Sequence, residues 1–166
     1  MAEQVELTLA RALKLKNRLT GRLAKIDRDF ENYNSVPAGS DRLDIKALYA
    51  ERGKLVVQLL KLKVTLNSAN QPVQPTIFEL GELKSLVALL NKTSTKHGKV
   101  PEGYHGNEVE YAAQFRKVEI DREVRRLEVH IDRLQEQLDA FNHQTTIILD
   151  AALLSEIEAT PPPAGA

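Results

Sequence analysis

The chain reads as an all-α protein whose long amphipathic helices pair as antiparallel hairpins in a four-helix, coiled-coil-like bundle. Three observations carry this. Apolar residues recur at steps of three and four over most of the length, and breaker-rich segments at 35–40 and 67–75 divide the pattern. Near the end, two interleaved apolar columns repeat every seven residues.

The first helix is expected from Val5 to Tyr33, on a stripe of Val5, Leu9, Ala12, Leu19, Leu23, Ile26, Phe30 and Tyr33. Ser35-Val36-Pro37-Ala38-Gly39-Ser40 ends it. A second helix begins near Asp41 or Asp44, either of which suits an N-cap, and buries Ile45, Leu48, Leu55, Leu59, Leu62 and Leu66, with Val56 and Leu60 beside that stripe. Each helix is roughly 40 Å long at 1.5 Å per residue. A short turn between two such helices folds them back as an αα-hairpin. Neither stripe can be buried by its own helix, so each needs the other.

Asn67 to Pro72 stops the second helix. Thr76-Ile77-Phe78-Glu79 reads as a capping box that opens a third helix reaching about His97, on Leu80, Leu83, Val87 and Leu90, widened by Leu86 and Leu89. Gly98 suits the position just past its end, with Pro101 shortly after. Residues 98–107 read as a loop. In 107–118, Val109, Tyr111, Ala113 and Phe115 alternate with Glu110, Ala112 and Gln114, which suits a short β arm near 107–117, whereas Asn107 with Glu110 also fits a helix start. The last long helix repeats Ile120, Leu127, Leu134, Phe141 and, between them, Val124, Ile131, Leu138. Those seven form an oligomer or packing seam. The run 145–149 reads as helical or extended, and 150–158 suits a short helix. The domain expectation is a bundle over 1–149, made of a hairpin at 3–70 and a second helical half at 76–149. Residues 150–166 are then a tail, disordered from about 160.

Lys and Arg number 23 and so do Asp and Glu. That balance argues against a dedicated nucleic-acid binder and leaves association between copies unopposed by net charge. Lys14, Lys16, Arg18, Arg22, Lys25 and Arg28, with Lys54, Lys61 and Lys63, nonetheless tilt the first hairpin towards basic, and a contact with nucleic acid or anionic lipid is the minor reading. There is no cysteine, hence no disulfide, thiol nucleophile or thiolate metal site. A charged amino terminus without an apolar signal core, and no long uncharged apolar run, make a cytoplasmic protein the expectation.

No catalytic constellation stands out, and no cofactor or enzyme activity is expected. His97, His105, His130 and His143 are too scattered for a metal motif, although His97 and His105 flank a glycine-rich loop with Glu102 and Glu108, where a ligand or metal at a subunit interface is the one reading to hold open. Glu119, Asp121, Glu123 and Glu128 interleave with Arg122, Arg125 and Arg126 and read as surface ion pairs. Asn67, Asn70 and Asn142 sit near helix ends, where they act as caps or as polar contacts between subunits.

A Leu-rich hairpin ending Leu66-Asn67-Ser68-Ala69-Asn70, a shorter helix, a Tyr-containing arm and a helix ending Phe141-Asn142-His143-Gln144-Thr145-Thr146 together resemble the small bacterial proteins called septicolysin-like, over about residues 7–149. The resemblance implies a helical protein and, through the name, a membrane-active, pore-forming role; it brings no catalytic residues. The residues themselves lead to a different expectation. They describe a non-enzymatic helical scaffold or partner-binding protein that self-associates as a dimer or larger oligomer.

Overall fold

A computed structural model describes residues 3–40, 42–102 and 106–159. Helix dominates, joined by two antiparallel strand pairs, which corrects the all-α expectation. The chain divides into two compact units. One takes the described residues up to Pro72 together with those from Asp139 onward, and the other is Val73–Leu138.

The first unit opens with a strand, β1 (Gln4–Thr8), where the stripe predicted helix. Val5 and Leu7 point inward while Gln4 and Glu6 face solvent, a period of two too short to stand out beside the helix that follows. Its partner is β4 (Thr146–Asp150), in register from Gln4 opposite Asp150 to Thr8 opposite Thr146. Ile147 and Leu149 of β4 are buried and Ile148 is exposed, so the 145–149 ambiguity resolves as an extended strand with one face on the core.

Thr8 caps helix α1 (Leu9–Tyr33), its Oγ1 accepting from Arg11 N–H at 3.3 Å. Helix α2 (Ile45–Asn70) is capped by Asp44, which accepts from Ala47 N–H at 2.9 Å; Asp41 lies outside the described residues. Gly39 turns the connection at φ +92°, a left-handed value that favours glycine. The hairpin is laced by two charged pairs. Arg22 donates twice to Glu51, at 2.8 and 3.0 Å, and Arg52 donates to Asp27 at 2.6 Å. Glu51 thereby keeps the Arg22 guanidinium more firmly protonated than usual. Phe30 and Tyr49 rings meet at 6.2 Å towards the tip.

Helix α5 (Ala151–Ala159) completes the unit, with Asp150 Oδ1 accepting from Ala152 and Leu153 N–H groups at its start. The buried set runs Leu7, Leu9, Ala12, Leu15, Leu19 and Ile26, then Leu55, Leu59, Leu62 and Leu66, then Ile147, Leu149, Leu153, Leu154 and Ile157. Residues 150–159, placed in a tail by the sequence, therefore help build the core; those from 160 lie outside the described residues.

In the second unit α3 spans Gln74–Lys92. It begins before Thr76, so the expected capping box lies inside the helix, and Pro75 in its first turn does the setting instead. It ends five residues short of His97, at the polar Thr93-Ser94-Thr95, whose two threonines are β-branched. The expected loop is half strand: β2 (Gly98–Glu102) pairs with β3 (Asn107–Tyr111), Val100 opposite Val109. Gly98, read as a helix terminator, has the predicted positive φ of +78° but opens a strand. Asn107 and Glu110 lie in β3, so the β-arm reading holds and the helix-start reading does not. Helix α4 follows (Lys117–Gln144), its last turns belonging to the first unit.

Two neighbouring substitutions on α2 test this account. Leu62, fully buried, is expected to cost about 2–5 kcal/mol on truncation to alanine. Val64, 67% exposed, should change stability by no more than about 0.5 kcal/mol in the same urea titration. Similar losses for both would mean that α2 presents a different face to α1.

Candidate functional site

One copy of the chain already covers most of the two heptad columns of α4. Ile120, Val124, Leu127, Ile131 and Leu134 are buried, and Leu138 and Phe141 are half-buried. The periodicity thus describes packing within the chain at these positions. Of the asparagines, Asn67 is exposed inside α2, Asn70 is half-buried as its last residue, and Asn142 is half-buried within the last turn of α4. Gln71 takes the cap position of α2, so neither Asn67 nor Asn70 is its C-cap residue.

The described residues on either side of the loop held open for a ligand form a charged network. Lys96 donates to Glu102, and its Nζ stands 5.0 Å over the Tyr111 ring. The Lys96 ammonium, and then the Tyr111 hydroxyl, hold the Glu102 carboxyl below its ordinary value; Glu102 in turn raises both Lys96 and Tyr111. His97 Nδ1 accepts from Ala113 N–H at 3.2 Å. His105 lies outside the described residues. Among those described, no group of three or more acidic or histidine side chains is placed to hold a metal ion.

The other histidines are also engaged. His130 Nε2 lies 3.4 Å from Glu79 on α3. Glu79 and His130 are equally far along the chain from the β2–β3 ribbon, so this contact joins the helices on either side of it at matching distances. His143 Nδ1 is 2.7 Å from the Asp139 carbonyl, so that nitrogen carries the proton. In the acidic cluster of α4, Arg126 clasps Glu123 as the sequence suggests, whereas Asp121 is bonded to Lys117 and not to one of the three arginines. Glu119 differs, because its Oε2 accepts from Arg116 N–H at 2.9 Å at the start of the helix.

What sequence reasoning missed lies on the open sides of α2 and α3. On α2, Val57, Leu60 and Val64 are 53, 58 and 67% exposed. On α3, Phe78, Leu86 and Leu89 are 65, 40 and 62% exposed, and no residue of that helix is fully buried. A second apolar row on each helix was present in the sequence, but periodicity alone merges it with the buried one. Between α2 and α5 runs a groove of about 600 Å³, lined by Lys54, Val57, Gln58, Lys61, Leu153, Glu156 and Ala159.

The ribbon network has a pH signature. A depressed Glu102 contributes stability above the usual carboxylate value of 4.5 and loses it as pH falls through the folded value. A raised Lys96 contributes below 10.5 and loses it as pH rises through its own. Amide protection factors across 98–102 and 107–111 should therefore fall at both extremes, and Glu102→Gln should remove the acid limb. Protection that ignores pH would show that the network does not order the ribbon.

No protein-family model, curated protein or solved structure matches the chain, so its functional reading stands on these faces alone.

Proposed function

We propose that the protein is a non-enzymatic helical scaffold that binds other proteins, its own copies included, through aliphatic helix faces that one chain leaves open. The observation that carries this is α3. Its Leu80, Leu83, Val87 and Leu90 row is half-buried, while Phe78, Leu86 and Leu89 face solvent. A helix apolar on two sides needs two partners, and one copy supplies cover for only one side.

The charges of α3 favour a second copy. Glu79 and Glu82 lie in its first half, Lys84 and Lys92 in its second. Two α3 helices packed antiparallel about a two-fold axis set the acidic half of each against the basic half of the other, which is the self-complementarity an isologous dimer requires. The resulting contact buries six large apolar side chains, three from each copy.

Light scattering coupled to size exclusion, over a range of concentrations, is expected to show a dimer. Leu86→Glu combined with Leu89→Glu should weaken the dimer by about tenfold or more, equivalent to about 1.4 kcal/mol, and leave the thermal unfolding of the monomer unchanged. A wild-type monomer at the highest concentration would sink the self-association reading.

A further inference from the structure

The open side of α2 differs from that of α3 in spacing and in charge. Ala50, Gly53, Val57, Leu60, Val64 and Asn67 follow alternating steps of three and four, and every one of them is exposed. This is a heptad seam with Val57 and Val64 in the a positions and Leu60 at d, the choice that suits a two-stranded contact. Its flanks carry Lys54, Lys61 and Lys63. The helix has one carboxylate, Glu51, and Arg22 of α1 holds it. The hairpin from Leu9 to Asn70 contains more than half of the chain's 23 Lys and Arg residues and about a quarter of its 23 Asp and Glu. A neutral chain thus has a basic hairpin with an uncovered aliphatic seam.

We propose that this α2 face docks an acidic amphipathic helix of a partner protein. Three features select that occupant. Pairing two copies through α2 brings two basic hairpins together, whereas Glu or Asp flanking a partner's seam meets Lys54, Lys61 and Lys63. The seam is a narrow double column of Val and Leu with Gly53 and Ala50 at one end, where a helix backbone can approach closely. A helix built to lie in a lipid surface carries a broader apolar sector with large aromatics. Beside the seam, Gln58 donates to Glu156 at 3.0 Å, yet its Oε1 is shielded from solvent and has no hydrogen-bond partner among the described residues. Gln58 lines the α2–α5 groove with Lys54, Val57 and Lys61, and a turn of its side chain would bring that shielded acceptor to a donor from the partner.

Docking of this kind rests on the scaffold reading and gives it a partner class, and it is tested separately from dimerisation. The probes are two synthetic heptad peptides with Ile and Leu at a and d, one with Glu at e and g and the other with Lys, together with vesicles of mixed zwitterionic and anionic phospholipid. The intact protein should bind the Glu peptide at least about tenfold more tightly than the Lys peptide, with affinity falling as salt rises. Leu60→Glu should abolish binding without altering helix content or oligomeric state, and Leu86→Glu with Leu89→Glu should leave it intact. Reversing the frame with Lys54→Glu, Lys61→Glu and Lys63→Glu should switch preference to the Lys peptide. Equal binding of both peptides, or binding of neither, overturns the proposal. So does vesicle binding lost in Leu60→Glu with no peptide binding, which would assign the face to lipid, or a dimer that Leu60→Glu dissociates.

Discussion

The pairing of β1 with β4 is the constraint on which the first unit depends. It joins residues 4–8 to 146–150, so it closes nearly the whole length of the described chain. Closing so long a loop is unfavourable, but the cost grows only logarithmically with length, and the pair brings Leu7, Ile147 and Leu149 into one apolar set with the helices. The chain is tied in on both sides of the ladder. Leu9 N–H donates to the Thr145 carbonyl where α1 begins, and Ala151 N–H donates to the Glu3 carbonyl where α5 begins. One ladder therefore fixes the starts of two helices whose buried residues form the core. Without it, α5 has nine residues and too few turns to persist alone.

From that core the hairpin of α1 and α2 extends, held first by aliphatic contacts and then by charged pairs. Leu19, Ile26 and Leu62 are fully buried, while Arg22–Glu51 and Asp27–Arg52 lie at the edges of the contact, partly open to water. Pairs so placed contribute modestly to stability; they fix the register in which two leucine-rich helices meet. With the register set, α2 turns Leu55, Leu59, Leu62 and Leu66 towards α1 and leaves Val57, Leu60 and Val64 outside. The exposed seam is thus a consequence of how the hairpin is locked.

How much of this was legible depended on the range of the interaction. The helical runs, the Asp44 cap, the buried row of α2 and the ion pairs of α4 follow from neighbours within a turn or two, and the sequence displayed them. β1 and β4 did not show as partners because each is five residues long and its mate is far along the chain. Val5 and Leu9, four apart, then counterfeited a helical step. Gly98 showed its backbone requirement correctly, since φ is positive there, but the same requirement serves a helix end and a ribbon start. His130 and Glu79, distant in sequence and close in space, could not be joined by periodicity at all.

Range also separates the two kinds of apolar row. A regular heptad states that a helix has a partner and is silent on whether that partner belongs to the same chain. In α4 the regular seam is largely buried, and its regularity is accounted for by the fold. In α2 two rows share one helix, so neither stands out, and only the accessibility of Val57, Leu60 and Val64 reveals which is open. Charge then distinguishes the open rows. Opposite charges on the two halves of α3 suit pairing with an identical helix reversed. Two of the lysines of α2 share a groove with Glu156 of α5, but the helix's own carboxylate is drawn away by Arg22, and the basic excess suits a partner that brings negative charge. A chain with zero net charge can be so divided because its acidic residues lie mainly outside the hairpin, which leaves the hairpin basic without loss of overall balance.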